Sequence, residues 1–216
     1  IEWSRIEPRF GEFSEEALDH YTQVIRCCRA RNLEPIVTLH HFTHPQWFAE
    51  KGGWASPTSP FTFTRYVEKV AQRLGEQVRW WITTNEPTVL VWYGYLLGKW
   101  PPGERSLVRG WKALRNLIRA HREAYRVIHA EAGVRPSTGS GRTEFTPMVG
   151  LAHHLRPIDP CRPGSLLDRV ACGLRHRIAN EWLLRACRGT LDFIGLNYYT
   201  RDFLRFGGLL GTVCTA

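Results

Sequence analysis

The chain has 216 residues, 43% of them hydrophobic and nine of them tryptophan, which supplies a sizeable core and excludes a disordered chain. No run reaches the roughly 18 apolar residues of a membrane span, so no membrane partner is expected. The net charge is +9, but Lys51, Lys69, Lys99 and Lys112 are the only lysines, and the 25 arginines are scattered with no dense run and no nucleic-acid motif, so no nucleic-acid partner is expected either.

The chain opens on Ile1 with no initiator methionine, and the lack of a visible leader therefore says little. Cys27, Cys28, Cys161, Cys172, Cys187 and Cys214 match neither a zinc spacing nor a disulfide scaffold. Buried free thiols in a reducing compartment are expected, hence a cytoplasmic protein.

Taken in order, Ile1 to Pro8 reads as the end of a strand, Ile1–Ser4, entered midway. Ser14 caps a helix with Glu15 and Glu16 in its first turn, and Ala17, Tyr21, Val24, Ile25 and Cys28 recur at helical spacing. Pro35–His40 is a second strand, followed by a loop from Gln46 to Trp54 with at most one helical turn. Phe61 to Leu74 is a helix and Val78–Thr84 the third strand, with Val78, Trp80 and Ile82 alternating against Arg79, Trp81 and Thr83. After Pro87 comes an aromatic segment and a turn at Trp100-Pro101-Pro102-Gly103. The longest helix follows. Trp111, Leu114, Ile118, His121, Tyr125, Ile128 and Ala132 are spaced as one face. His121 on that face reads as a buried packing residue. Arg135 to Pro147 is a loop, Met148–His153 a strand, and Pro157 to Gly164 a loop. Asp168 to Arg188 is helical and weakened at Gly173. Asp192–Tyr198 is the last strand, and the tail through Gly207 to Gly211 has no clear pattern. Strand–helix alternation argues for a parallel α/β sheet, either doubly wound or part of a barrel. No glycine-rich phosphate loop follows a strand, which counts against a dinucleotide site.

The chemistry lies at the strand ends: His40-His41, Asn85-Glu86, His153-His154 and Asn197-Tyr198-Tyr199. Glu86 stands directly before Pro87, which stops the strand. A carboxyl group beside an apolar wall of tryptophans suits a general acid. The bland alternative for Glu86 is a strand-end glutamate in a surface ion pair. Polar and aromatic groups at one end of a sheet suit a sugar, whose hydroxyls take paired donors and acceptors and whose C–H face stacks on rings. A metal is the competing reading of His40, His41 and His44, but adjacent histidines on a strand face opposite ways, so no metal and no cofactor is expected.

Four motifs then carry a resemblance: I-E-W-S-R-I-E-P, V-T-L-H-H-F-T-H-P, W-I-T-T-N-E-P and D-F-I-G-L-N-Y-Y-T-R. In order and separation they resemble the second, third, fourth and sixth strands of the (β/α)8 TIM barrel of glycoside hydrolase family 1, the β-glucosidases. V-G-L-A-H-H-L resembles the fifth more loosely. The resemblance implies an incomplete barrel of about five βα units, residues 1–216 forming one partial domain. It implies a retaining β-glycosidase acting on a small β-glycoside or oligosaccharide. Glu86 would be the acid/base, Asn85 the partner of the sugar 2-hydroxyl and His41 a glycone contact. Tyr199 would bond the nucleophile, with Asn197 close by.

Phe42 stands where many members have tryptophan, Thr43-His44 where Asp-Leu is common, and Thr88 where some place a stacking tryptophan, which leaves the leaving-group preference open. The family's nucleophile, in a T-E-N-G motif, is not found in this sequence, nor are motifs for the first, seventh and eighth strands. The chain reads as the middle of a longer protein, inactive alone, with Asp202 as the first alternative carboxylate to consider. A carbohydrate-binding barrel without turnover and a 6-phospho-β-glycosidase are the competing readings. Strand edges near Trp3 and Ile194 are expected to be open to self-association.

Overall fold

The computed structural model describes residues 1–133, 146–207 and 212–213. In chain order the elements are α1 (Trp3–Ile6), α2 (Glu15–Arg29), β1 (Ile36–His40), α3 (Gln46–Glu50), a 3-10 turn (Gly53–Ala55), α4 (Ser59–Leu74), β2 (Trp80–Asn85), α5 (Pro87–Val91), a π turn (Trp92–Leu96) and α6 (Leu107–Gly133). There follow β3 (Met148–His154), β4 (Ile158–Pro160), α7 (Leu166–His176), a π turn (Arg177–Glu181), α8 (Trp182–Ala186), β5 (Phe193–Asn197), β6 (Asp202–Arg205) and β7 (Thr212–Val213). The chain divides into two compact units, Ile1–Ala152 with Gly189–Gly195, and His153–Arg188 with Leu196–Ala216.

In the first unit the sheet order is β1-β2-β3-β5. β1 and β2 run parallel, Ile36 beside Trp80 and His40 beside Thr84. β2 and β3 are also parallel, Trp80 beside Met148. The Asp192 N–H donates to the Val149 carbonyl at 2.9 Å, and Gly195 lies against Ala152. Residue numbers thus rise together along β3 and β5, which is parallel pairing. Gly150 is required here, because a Cβ on it would sit 2.3 Å from the Phe193 carbonyl oxygen. This is the layered βα architecture of an incomplete TIM barrel, the one of the two parallel-sheet architectures left open by the alternation that the family resemblance implies.

Ser14 caps α2, its hydroxyl accepting the Ala17 N–H at 3.1 Å. α4 buries Phe63, Tyr66, Val67, Val70, Ala71 and Leu74 at helical spacing and packs on α6. Trp3, Trp54 and Trp81 are fully buried in the same core. Each side chain of that size contributes roughly 3 kcal/mol by leaving water.

Several expectations are corrected. Ile1–Ser4 is no strand. The Ile1 amino group donates to the Thr38 carbonyl at 3.0 Å, and the chain then leaves the sheet as α1. Trp3 is pulled into the core, stacked 4.9 Å from Tyr66, so it marks no open edge. In β2 the buried alternation falls on Trp81 and Thr83, with Trp80 and Ile82 half-buried. On α6 the buried centre is Ala113, Leu117, Ala120, Ala124 and Ile128, and Trp111 is 54% exposed. Small residues let α6 lie close to its neighbours, so the buried stripe sits off the one that large apolar residues mark out. The side chain of Ala132 and residues 135–145 of the expected loop lie outside the residues described, as do 208–211 of the tail.

In the second unit β4, β6 and β7 form a three-stranded sheet, β4 parallel to β6 and β6 antiparallel to β7. The segment read as the Pro157–Gly164 loop therefore contains a strand, and the patternless tail contains two. Strands of two to four residues are too short to show a period, and only pairing reveals them. Ala171, Cys172 and Leu204 form their core. The Asp168 carboxylate takes both a bidentate contact from Arg162 at 2.8–2.9 Å and the Phe206 N–H at 3.0 Å. The helix does not weaken at Gly173. It widens at Arg177–Glu181, where buried Asn180 exchanges hydrogen bonds with the Arg156 backbone at 2.6 and 3.3 Å. Cys172 and Cys187 are buried free thiols as expected, but Cys27 is an exposed one, and Cys161 is disulfide-bonded. Cysteine spacing along the chain does not report which sulfurs the fold brings into bonding reach.

Candidate active site

The carboxyl ends of β1 and β2 gather three of the five predicted site residues. Beyond the His40–Thr84 pair, β1 continues into His41 and β2 into Asn85 and Glu86. Between Ile82, beside Gly150, and Asn85, beside Ala152, β2 carries one residue more than β3. Such a bulge re-aims the side chains that follow it. His41 is exposed, while Asn85 and Glu86 are 6% and 5% exposed.

Glu86 serves two elements at once. Its N–H donates to the Ala152 carbonyl at 2.8 Å, continuing the ladder to β3. Its carbonyl accepts from Val89 and Leu90 at 3.0 and 3.1 Å, capping α5. Pro87 at the first helical position has no N–H to satisfy. To connect both, Glu86 adopts the left-handed region at φ 46°, ψ 56°, where a capping residue is ordinarily extended. A non-glycine residue there costs about 1–3 kcal/mol. Phe42, just past β1, is left-handed too, at φ 68°.

Phe42 starts an aromatic array that the sequence reading missed. Its ring lies 5.1 Å from His41 and 5.1 Å from Trp100, edge to face in both cases, and Trp100 stacks 4.7 Å from Tyr93. Tyr93 belongs to the π turn following α5, and Trp100 to the W-P-P-G turn. An aromatic residue opening a proline turn was the available signal.

Three neighbouring histidines are structural. His121 is buried, its Nε2–H donating to the Thr190 carbonyl at 2.8 Å and its Nδ1 accepting from the Thr83 hydroxyl at 2.7 Å. Burial pulls its pKa down to about 4, against the smaller opposing effect of the Thr190 carbonyl. The Trp54 indole N–H donates to His40 Nε2 at 3.3 Å, and burial holds His40 well below its ordinary value. His44, stacked 5.9 Å from His40, is pulled down by burial to about 4. Neutral, enclosed rings of this kind serve packing. No cluster of three or more metal-ligand side chains occurs among the described residues.

Asn197 and Tyr199 belong to the second unit. The Asn197 carbonyl accepts the Leu155 N–H at 3.1 Å. Tyr199 is 68% exposed, its ring perpendicular to His154 at 5.1 Å. In the same unit His153 is buried with Nε2 donating to the Ala179 carbonyl at 3.1 Å, a packing role. Asp202 is buried beside Arg156 at 3.1 Å and Arg175 at 4.0 Å. Both guanidiniums engage its carboxylate as ion-pair partners.

Residues 1–187 match the model of glycosyl hydrolase family 1. The chain is 31% identical to a β-glucosidase of Agrobacterium sp. over 93% of this chain and 47% of that protein. It is 37% identical to the cytosolic β-glucosidase of Cavia porcellus over 95% of this chain and 51% of that protein. The β-glycosidase from Pyrococcus horikoshii superposes with a TM-score of 0.86 at 34% identity, covering 100% of this chain and 52% of that one. The chain thus spans from about a fifth to about half the length of the curated relatives it matches. On the match over residues 1–187, the chain belongs to glycosyl hydrolase family 1.

Proposed function

We propose that this chain is the acid/base-bearing part of a retaining β-glycosidase barrel and that Glu86 is its general acid and base. The observation that carries the reading is Glu86 itself: nearly buried, left-handed, and held between a ladder bond to β3 and the start of α5. A carboxyl group enclosed in this way is fixed in position before a substrate arrives.

In the first step a carboxylate from another part of the barrel attacks the anomeric carbon. Glu86 gives its proton to the departing glycosidic oxygen as that bond breaks. In the second step Glu86, now a carboxylate, takes a proton from water, whose oxygen displaces the enzyme carboxylate from the sugar. Retention requires the two carboxyl groups about 5–5.5 Å apart. Asn85 donates to the 2-hydroxyl and His41 contacts the non-reducing sugar, and residues 1–216 are one partial domain of the barrel. The substrate is a small β-glycoside. Phe42, Trp100 and Tyr93 form a stacking wall suited to an apolar or aromatic leaving group.

The test is Glu86→Gln in the complete barrel protein, assayed on aryl β-glucosides with good and poor leaving groups. A glycoside whose leaving group departs without a proton should lose little in the first step. One that needs the proton should lose about 10²–10⁴-fold. Equal losses on both would refute the role. Residues 1–216 alone should show no turnover above that of their own Glu86→Gln variant.

A further inference from the structure

The arginines that look scattered along the chain are not scattered on α6. Lys112, Arg115, Arg119, Arg122 and Arg126 recur at steps of three and four residues, the helical period. They line the side opposite the buried residues Ala113, Leu117, Ala120 and Ala124, and span about 21 Å of helix. Lys112, Arg115, Arg119 and Arg126 are exposed and Arg122 half-exposed. No acidic residue occurs from Leu107 to Arg122. Glu123, at the edge of the stripe, pairs with Arg126, and Glu104 pairs with Arg109 before it.

The same face begins with large apolar side chains in water. Leu107 is 80% exposed, Val108 64% and Trp111 54%. In a barrel the side of a helix turned away from the sheet is its outer side, so neither a neighbouring strand nor the core covers these residues.

We propose that the outer face of α6 docks on an anionic phospholipid surface, Leu107, Val108 and Trp111 entering the headgroup layer while Lys112, Arg115 and Arg119 bind lipid phosphates. Charge complementarity selects an anionic partner, and the apolar end selects lipid over nucleic acid. A phosphate backbone in water offers leucine and valine nothing, whereas the interface of a bilayer takes up apolar side chains and tryptophan. This is attachment to a surface and not a span, since no helix among the described residues is long and apolar enough to cross a membrane. It departs from the expectation of no membrane partner, which rested on the absence of an apolar run.

The test is co-sedimentation of the protein with vesicles of phosphatidylcholine alone and of phosphatidylcholine with one third phosphatidylglycerol, at low and high salt. Binding to the anionic vesicles only, weakened by salt, is expected. Arg115→Glu with Arg119→Glu should lower the partition at least about tenfold. Leu107→Ser with Trp111→Ser should lower it several-fold, with thermal melts unchanged in both because all four side chains are exposed. Absence of sedimentation with anionic vesicles overturns the proposal. So does binding that is indifferent to Leu107 and Trp111 and matched by duplex DNA, which marks a general polyanion surface.

Discussion

The two ends of the central strands use polar residues in opposite ways. At the amino end, Asp192 just before β5 is a hub: its carboxylate accepts from Tyr125 at 2.9 Å, from His129 at 2.8 Å and from the Val149 N–H at 2.8 Å. Burial alone would raise its pKa, but these hydrogen bonds outweigh it and hold the group below its ordinary value. Backbone geometry there asks for nothing unusual of Asp192. At the carboxyl end, Phe42 and Glu86 are held left-handed, and the bulge in β2 lies just before Glu86. One end is arranged for stability. The other holds strained residues that stability alone would not select. Asn32, the third left-handed non-glycine residue among those described, ends α2 and is an ordinary helix stop.

The largest expected effect comes from acid, on the packing histidines between these ends. His40, His44 and His121 are neutral in the fold, the latter two with pKa pulled from 6.5 to about 4 and His40 well below 6.5. The unfolded chain therefore binds protons that the folded chain refuses. Their contribution to stability is complete above pH 6.5 and is lost as pH falls toward 4, at up to ~1.4 kcal/mol per pH unit for each histidine. Urea unfolding across this range should show a steep slope, reduced by one proton in His121→Asn. A flat profile would contradict the buried neutral rings.

Next in size is the amino-end hub. Asp192→Ala leaves three donors without their acceptor and should cost about 2–4 kcal/mol, read as a lower melting temperature. A loss under ~1 kcal/mol would place this end on the same footing as an ordinary surface.

Much of this was legible in the residues. Ser14 before Glu15 and Glu16 names a helix start because a hydroxyl cap and acidic first turn act locally. Glu86 before Pro87 names a strand end for the same reason. His121, alone on an apolar helix face, is the packing residue its surroundings imply. What was not legible depends on partners distant in the chain. Ile1–Ser4 looks like a strand but leaves the sheet after one hydrogen bond. The buried face of α6 is set by close approach at alanines, so Trp111 points to water. β4 and β6 exist only because each pairs with the other. Trp100 and Tyr93 reach Phe42 through a turn whose shape no periodicity reports.

The sharpest measurement is the thermal stability of Glu86→Gly beside its activity. Glycine takes a left-handed backbone without strain, a gain of up to about 1 kcal/mol at this position that offsets part of the loss of the buried Glu86 side chain. The expected result is a melting temperature lowered by clearly less than in Asp192→Ala, together with loss of turnover on glycosides that need protonation. A melting temperature lowered as far as that of Asp192→Ala would contradict it, and would make Glu86 a structural residue like those at the opposite end.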